Sequence, residues 1–282
     1  MNLHVIQTGM FKLDGGAMFG VVPKSIWNKI NPADDKNLCT WAMRSLLIED
    51  ENRLILIDCG IGNKQDSKFF EYFYLHGNQN LNDALNDAGF QPEDITDVIL
   101  THLHFDHCGG AVIWKNSDKK FPELYFKNAN FWSNPEHWDW AVHSNPREKA
   151  SFLRQNFIPI QESGNLRMIT QGNPSPFPAI DILFLDGHTE KQMIPVIRYK
   201  NYVIVYVADL IPSVGHIPLH YIMSYDIRPL LSMKEKEFFL NEAADNNYVL
   251  FFEHDPIYEC CTVHRTEKGI RRKDLFSLTE LT

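Results

Sequence analysis

The stretch Thr101-His102-Leu103-His104-Phe105-Asp106-His107-Cys108-Gly109-Gly110 sets three imidazoles and one carboxylate within six residues. Imidazole nitrogens and carboxylate oxygens are the donors that hold borderline divalent cations. In extended chain alternate side chains share a face, so His102, His104 and Asp106 converge, and a turn into helix near Asp106 swings His107 inward. The alternative is a solvated turn with hydrogen-bonded histidines, and the density of the cluster weighs against it.

Four further polar clusters close apolar runs. Asp58-Cys59-Gly60 follows Leu54-Ile55-Leu56-Ile57, and Asp186-Gly187-His188-Thr189 follows Ile180-Asp181-Ile182-Leu183-Phe184-Leu185. Ala208-Asp209 closes Tyr202-Val203-Ile204-Val205-Tyr206-Val207, and Glu253-His254-Asp255 closes Tyr248-Val249-Leu250-Phe251-Phe252. Each is unspecific alone. In this order after His-x-His-x-Asp-His, they resemble the metallo-β-lactamase superfamily. One departure is visible: many members continue Gly-His-Thr with Pro-Gly-His, where this chain has Glu190-Lys191-Gln192. The stretch Gly15-Gly16-Ala17-Met18-Phe19-Gly20-Val21-Val22-Pro23-Lys24 further resembles the branch containing quorum-quenching acyl-homoserine lactonases and methyl parathion hydrolase.

The resemblance implies an α/β (α+β) fold, an αββα metallo-β-lactamase-type sandwich of two mixed β-sheets flanked by helices. It implies that His102, His104 and His188 hold one ion, that Asp106, His107 and His254 hold a second, and that Asp209 bridges them. Asp58 would support the ligands without binding metal. Seven ligands exceed the four of a tetrahedral zinc, so two divalent ions are expected. Zinc is the default, with manganese, cobalt and iron admitted. The implied chemistry is attack by a metal-bridging hydroxide without a covalent intermediate. Asp106 would return a proton to the leaving alkoxide, and Tyr225 would donate to the developing oxyanion unless it is a half-buried structural tyrosine. The expected function is a dinuclear metal-dependent hydrolase of a lactone or other carboxylic ester, with N-acyl homoserine lactones first. A phosphotriesterase is the alternative enzyme. A non-catalytic metal-binding sensing module is the alternative of another class, opposed by the complete ligand set.

The whole chain bounds these readings. Its 282 residues are 44% hydrophobic and 22% charged, which suits a globular core. A net charge of −9 opposes nucleic-acid binding. The basic runs Lys119-Lys120 and Arg271-Arg272-Lys273 read as solvated faces. The N-terminus lacks a signal-peptide pattern and no run reaches the ~18 apolar residues of a membrane span. Five cysteines form no paired framework, and Cys108 reads as a small packed residue. A cytoplasmic protein acting on a small-molecule ester is expected, with no nucleic acid or membrane partner and a homodimer admitted.

A single domain over 1–282 is expected, in two halves, 1–172 and 178–282, parted by Gln171-Gly172-Asn173-Pro174-Ser175-Pro176-Phe177-Pro178. Residues 3–8, 41–49, 53–58, 97–100 and 123–126 read as strands, and 80–88 as a helix capped by Asn80. Residues 128–163 read as mainly helical. The spacing of Ser232 and Glu235 reads as a capping box, and residues 259–278 as a hairpin. Met18 and Phe19 read either as a flap or as a turn into a strand, and with the aromatics of 131–140 are expected to border the pocket. His216 and His220 read as non-ligands near it; His4, His76, His137, His143 and His264 read as structural or exposed.

Overall fold

The computed structural model describes residues 1–116 and 120–281, and it contains two six-stranded sheets with mixed strand directions. The first has the order β1 (Asn2–Asp14), β2 (Leu38–Asp50), β3 (Arg53–Ile57), β4 (Asp97–Ile99), β7 (Asn130–Ser133), β8 (Leu166–Met168). The intervening β5 (Val112–Trp114) and β6 (Pro122–Leu124) form a separate ladder. The second sheet is built from β9 (Ile180–Leu185), β10 (Gln192–Tyr199), β11 (Tyr202–Tyr206), β12 (Val249–Phe251), β13 (Cys260–Thr266) and β14 (Gly269–Phe276), in the order β14-β13-β12-β11-β10-β9. Eight α-helices are described: α1 (Gly15–Phe19), α2 (Lys24–Trp27), α3 (Ser67–Phe73), α4 (Leu81–Asp87), α5 (Phe105–Cys108), α6 (Pro135–Val142), α7 (Arg154–Glu162) and α8 (Pro229–Asp245). The expected class holds: a mixed α/β fold whose sheets are flanked by helices. Lys119 lies outside the described residues, whereas Arg272 and Lys273 are exposed as expected.

The chain divides into two compact units, Met1–Gly9 with Met43–Pro174 and Met10–Ala42 with Ser175–Thr282. The division at Pro174 falls inside the Pro- and Gly-rich stretch, but residues 10–42 group with the C-terminal half.

Strand direction positions the polar loops. In the first unit β3, β4 and β7 are parallel neighbours. Their C-terminal ends therefore share one edge, where Asp58, the His102–His107 stretch and Asn134 begin the following loops. Leu56, Val98 and Phe131 of these strands pack in one core with Leu81 and Leu85 of α4, Trp138 of α6 and Phe157 and Ile160 of α7. In the second unit β11 and β12 are parallel, while β10 runs antiparallel to both β9 and β11. Strands β9, β11 and β12 thus point the same way and release Gly187-His188, Asp209 and His254 at a common edge.

Several expectations needed correction. Phe131 and Trp132 belong to β7, and helix begins only at Pro135, capped by Asn134 accepting from His137 N. Phe131 and Trp138 fill the core instead of bordering a pocket. Met18 and Phe19 lie in α1 at 1% and 0% exposure, so their apolar surface is spent inside the second unit. Phe19 stacks between Trp27 and His216, with centroids 5.4 and 4.4 Å away. Helix α8 starts at Pro229, ahead of Ser232, because proline suits a first helical turn that needs no N–H donor.

Candidate metal centre

In the first unit the carboxylate of Asp58 organises the histidine motif. Its Oδ1 accepts Thr101 N at 2.8 Å, and its Oδ2 accepts Thr101 Oγ1 at 2.6 Å and His107 Nδ1 at 3.0 Å. Because the Thr101 hydroxyl hydrogen goes to Asp58, its oxygen accepts from His102 Nδ1 at 3.1 Å. Both imidazoles therefore carry their proton on Nδ1, which leaves Nε2 with a lone pair for a metal. Asp58 thus contacts the motif through His107 and Thr101. The turn after it lies flush on α5: Cys59 N bonds His107 O at 2.8 Å and Gly110 N bonds Gly60 O at 2.9 Å. A Cβ on Gly110 would stand 2.1 Å from Cys59 O, which explains the glycine there.

His102 Nε2 and His104 Nδ1 converge to 3.1 Å, and His107 Nε2 is 3.8 Å from Asp106 Oδ2. His102, His104, Asp106 and His107 are all buried, at 0 to 9% exposure. Burial pushes the Cys108 thiol up to about 12, so it stays protonated and donates to Leu103 O. That is packing chemistry, in keeping with its sequence reading.

In the second unit Asp209 faces two imidazoles. Its Oδ2 is 3.0 Å from His188 Nε2 and its Oδ1 is 3.1 Å from His254 Nε2. The far nitrogens are engaged by acceptors: His188 Nδ1 with Asp226 Oδ1 at 2.9 Å and His254 Nδ1 with Ala42 O at 2.8 Å. A carbonyl only accepts, so His254 is protonated on Nδ1 and turns a lone pair toward Asp209. Burial opposes charge on His188, but Asp209 and Asp226 outweigh it and raise its pKa to about 10. Two carboxylates thus hold positive charge at this spot. Lone pairs and carboxylates converging in both units make a donor set that fits divalent metal.

The Gly187-His188 loop is held by α8. Glu235 accepts Asp186 N and Gly187 N at 2.8 and 2.9 Å, and Arg228 N bonds Gly187 O at 2.9 Å. A Cβ on Gly187 would come within 2.5 Å of the Ser232 backbone. Tyr225, next to Asp226, is 40% exposed. His216 is buried and bonds Met18 O and Ser213 Oγ, so both ring nitrogens are engaged within the unit.

Sequence reasoning read His137 as structural or exposed, and its role is structural. His137 is fully buried, and its Nε2 accepts Leu103 N at 2.9 Å between two motif histidines. Asp226, the partner of His188 Nδ1, was missed; it sits in a loop with no pattern around it. Phe105 packs on Phe73 and Phe69, with centroids 4.7 and 5.4 Å away, and none of the residues of α3 is buried. This aromatic patch lies directly against the motif.

Comparisons with known proteins agree with this arrangement. The family model for the metallo-beta-lactamase superfamily matches residues 44–254. An N-acyl homoserine lactonase of Bacillus cereus is 24% identical over 199 residues, a match covering 67% of this chain and 66% of that protein, just under two thirds of its length. A probable metal-dependent hydrolase from Staphylococcus aureus superposes with a TM-score of 0.85 at 27% identity, covering 98% of this chain and 96% of the other. AidC, a dizinc quorum-quenching lactonase solved with a product, gives 0.80 at 22% identity over 98% and 95%, a likeness of fold. With three quarters of its length matched by that model, this chain belongs to the metallo-β-lactamase superfamily.

Proposed function

We propose that this protein is a dinuclear metal-dependent hydrolase of lactones or related carboxylic esters, with N-acyl homoserine lactones as the preferred class. The observation that carries the reading is Asp209, whose two oxygens face His188 and His254 separately, the disposition a bridging carboxylate requires. In this reading His102, His104 and His188 hold one ion, Asp106, His107 and His254 the other, and Asp209 joins them. Two divalent ions, zinc by default, would supply a Lewis acid and a water activated near neutral pH.

The chain's own residues supply the rest. Asp106, in the first turn of α5 and 12% exposed in its side chain, would take the proton of the added hydroxyl and pass it to the leaving alkoxide, returning to its ionised form. Tyr225 reaches solvent and donates its hydroxyl hydrogen to the developing oxyanion. Phe105, Phe73 and Phe69 offer apolar surface to an acyl tail beside the ligands. The lactonase activity named for the Bacillus cereus relative supports the same substrate class. All five cysteines are buried free thiols, which suits a reducing, cytoplasmic setting.

The test is a substrate panel on zinc-loaded protein: acyl-homoserine lactones of increasing chain length, a paraoxon-like triester and a thiolester, with Asp209→Ala as control. Lactone turnover that rises with chain length and vanishes in the control is expected. Triester hydrolysis far above lactone hydrolysis would make it a phosphotriesterase. No ester turnover by protein holding two ions would leave a sensing module.

A further inference from the structure

We propose that the second unit carries a binding site for a small amphiphilic carboxylate of the N-acyl amino acid type, in a cavity bordered by Lys29, Asn31, Ile257 and the Arg271-Arg272 pair of β14. The cavity holds about 340 Å³ and lies wholly within that unit. This volume is at the small end of the range for ligand pockets. The site stands apart from the hydrolase reading; only the likeness of its ligand to a ring-opened acyl lactone rests on that reading.

The charge around the cavity runs against that of the chain, whose net charge is −9. Several cations of this unit are paired with carboxylates: Lys12 with Asp34, Lys191 with Asp186, Arg228 with Glu190 and Arg265 with Asp245. Among the described residues no carboxylate pairs with Lys29, Arg271 or Arg272. The carboxylate in the cavity wall, Asp255, is committed to backbone donors. Its Oδ2 accepts Val214 N at 2.9 Å, and its Oδ1 accepts Ile257 N at 2.9 Å and Tyr258 N at 2.8 Å. These bonds also fix the turn that forms one wall, so the site is preformed. Three cations thus border one cavity without an anion of the chain to neutralise them, which suits a carboxylate head.

Asn31 gives independent support. It is 7% exposed, and its Oδ1 accepts no hydrogen bond among the described residues. A buried acceptor left in this way costs free energy that a donor on a ligand recovers. Gly215 makes room for the amide, since a Cβ there would stand 2.6 Å from Asn31 Oδ1. Ile30 and Ile257, 41% and 70% exposed, add apolar surface at the same cavity. Cations, a free acceptor and apolar surface together ask for an acid with an N–H close to its carboxylate and an acyl chain beyond. Opening of an acyl-homoserine lactone leaves a molecule of this kind.

Titration of the zinc-loaded protein with N-hexanoylglycine, followed by amide chemical shifts, tests this. Shifts should move at Gly215, Ile257 and Arg272. The affinity read there should fall about tenfold or more in a variant carrying Lys29→Ala and Arg272→Ala, both exposed side chains whose loss leaves the core intact. In wild type, hexanoate, which lacks the N–H, and N-hexanoylglycinamide, which lacks the charge, should each bind about fivefold or more weakly. These two ligands test the Asn31 and cation contacts without altering the fold. No shift at the three amides, affinity of the double variant within about twofold of wild type, or equal binding of all three acyl compounds would overturn the proposal. Inorganic phosphate binding as tightly as the acylglycine would make the cavity a general anion cleft and overturn the ligand class. Turnover is not read, so failure of the hydrolase reading in the substrate panel and failure of this site are separate results.

Discussion

The Phe19 ring lies flat on the His216 imidazole, with centroids 4.4 Å apart and planes 6° from parallel. His216 Nε2 is 2.9 Å from the Met18 carbonyl, which only accepts, so the proton is on Nε2 and Nδ1 receives the Ser213 hydroxyl. Burial pushes the pKa of His216 down to about 3, against the raising effect of the Met18 carbonyl. The unfolded chain takes up a proton near pH 6.5 while the folded chain does not, so stability is full above that pH and falls toward pH 3. Lys236, which donates to His216 O and is lowered to about 7 by burial, titrates above this window. Denaturant unfolding of the chelator-treated protein between pH 6 and pH 4.5 should lose stability more steeply in wild type than in His216→Gln. The difference should approach one proton, about 1.4 kcal/mol per pH unit. Equal slopes would show that His216 is protonated in the fold.

Asp58 serves three donors at once, two from Thr101 and one from His107. Removing it strands a buried N–H and a buried hydroxyl and frees the His107 ring. Asp58→Ala is expected to cost about 2–4 kcal/mol in stability and to weaken metal binding about 10- to 100-fold. Asp58→Asn, which keeps one acceptor for Thr101 N, should lose less stability than the alanine variant. Thermal melts and metal competition of both variants check this, and a wild-type metal affinity in Asp58→Ala would rule out the supporting role.

The parts of the site that the sequence made legible are those where a polar residue ends an apolar run: Asp58, the 102–107 motif, His188, Asp209 and His254 all sit at strand ends. Burial on both sides of a strand writes itself as an apolar run, and the first polar residue after it marks the edge. Asn80 capping α4 was legible for a similar local reason. Supporting residues were not, because their partners are remote in sequence: His137 reaches Leu103 across 34 residues and Asp226 reaches His188 across 38. Phe19 was misread because a glycine-rich neighbourhood suggested a loop, whereas glycines here let a short helix tuck its aromatic into a three-ring stack.

Phe73 packs on Phe105 from a helix with no buried residue, so it can be shortened without opening the core. Phe73→Ala is expected to lower kcat/KM for long-chain acyl lactones roughly five- to tenfold, about 1 to 1.4 kcal/mol of lost apolar contact, and to change short-chain turnover little. Metal content should stay at the wild-type value. Steady-state kinetics across chain lengths measure it, and a uniform loss at every length would mean that the patch contacts no tail.

Glu235 offers the sharpest contrast between local pattern and tertiary use. Its spacing from Ser232 suggests a capping box, yet α8 already begins at Pro229, and Ser232 Oγ reaches back only to Arg228 O at 3.3 Å. The carboxylate instead takes Asp186 N and Gly187 N, the two backbone donors that present His188. A capping role would make Ser232→Ala and Glu235→Ala similar in cost, with lost helicity in both. The tertiary role separates them. Glu235→Ala strands two N–H groups, should cost about 1–3 kcal/mol, and should reduce bound metal as His188 loses its backbone support. Ser232→Ala, which removes a long hydrogen bond, should fall within about 0.5 kcal/mol of wild type with metal content unchanged. Melting curves and metal analysis of the two variants decide it: equal destabilisation with full metal content in both would return Glu235 to the helix cap.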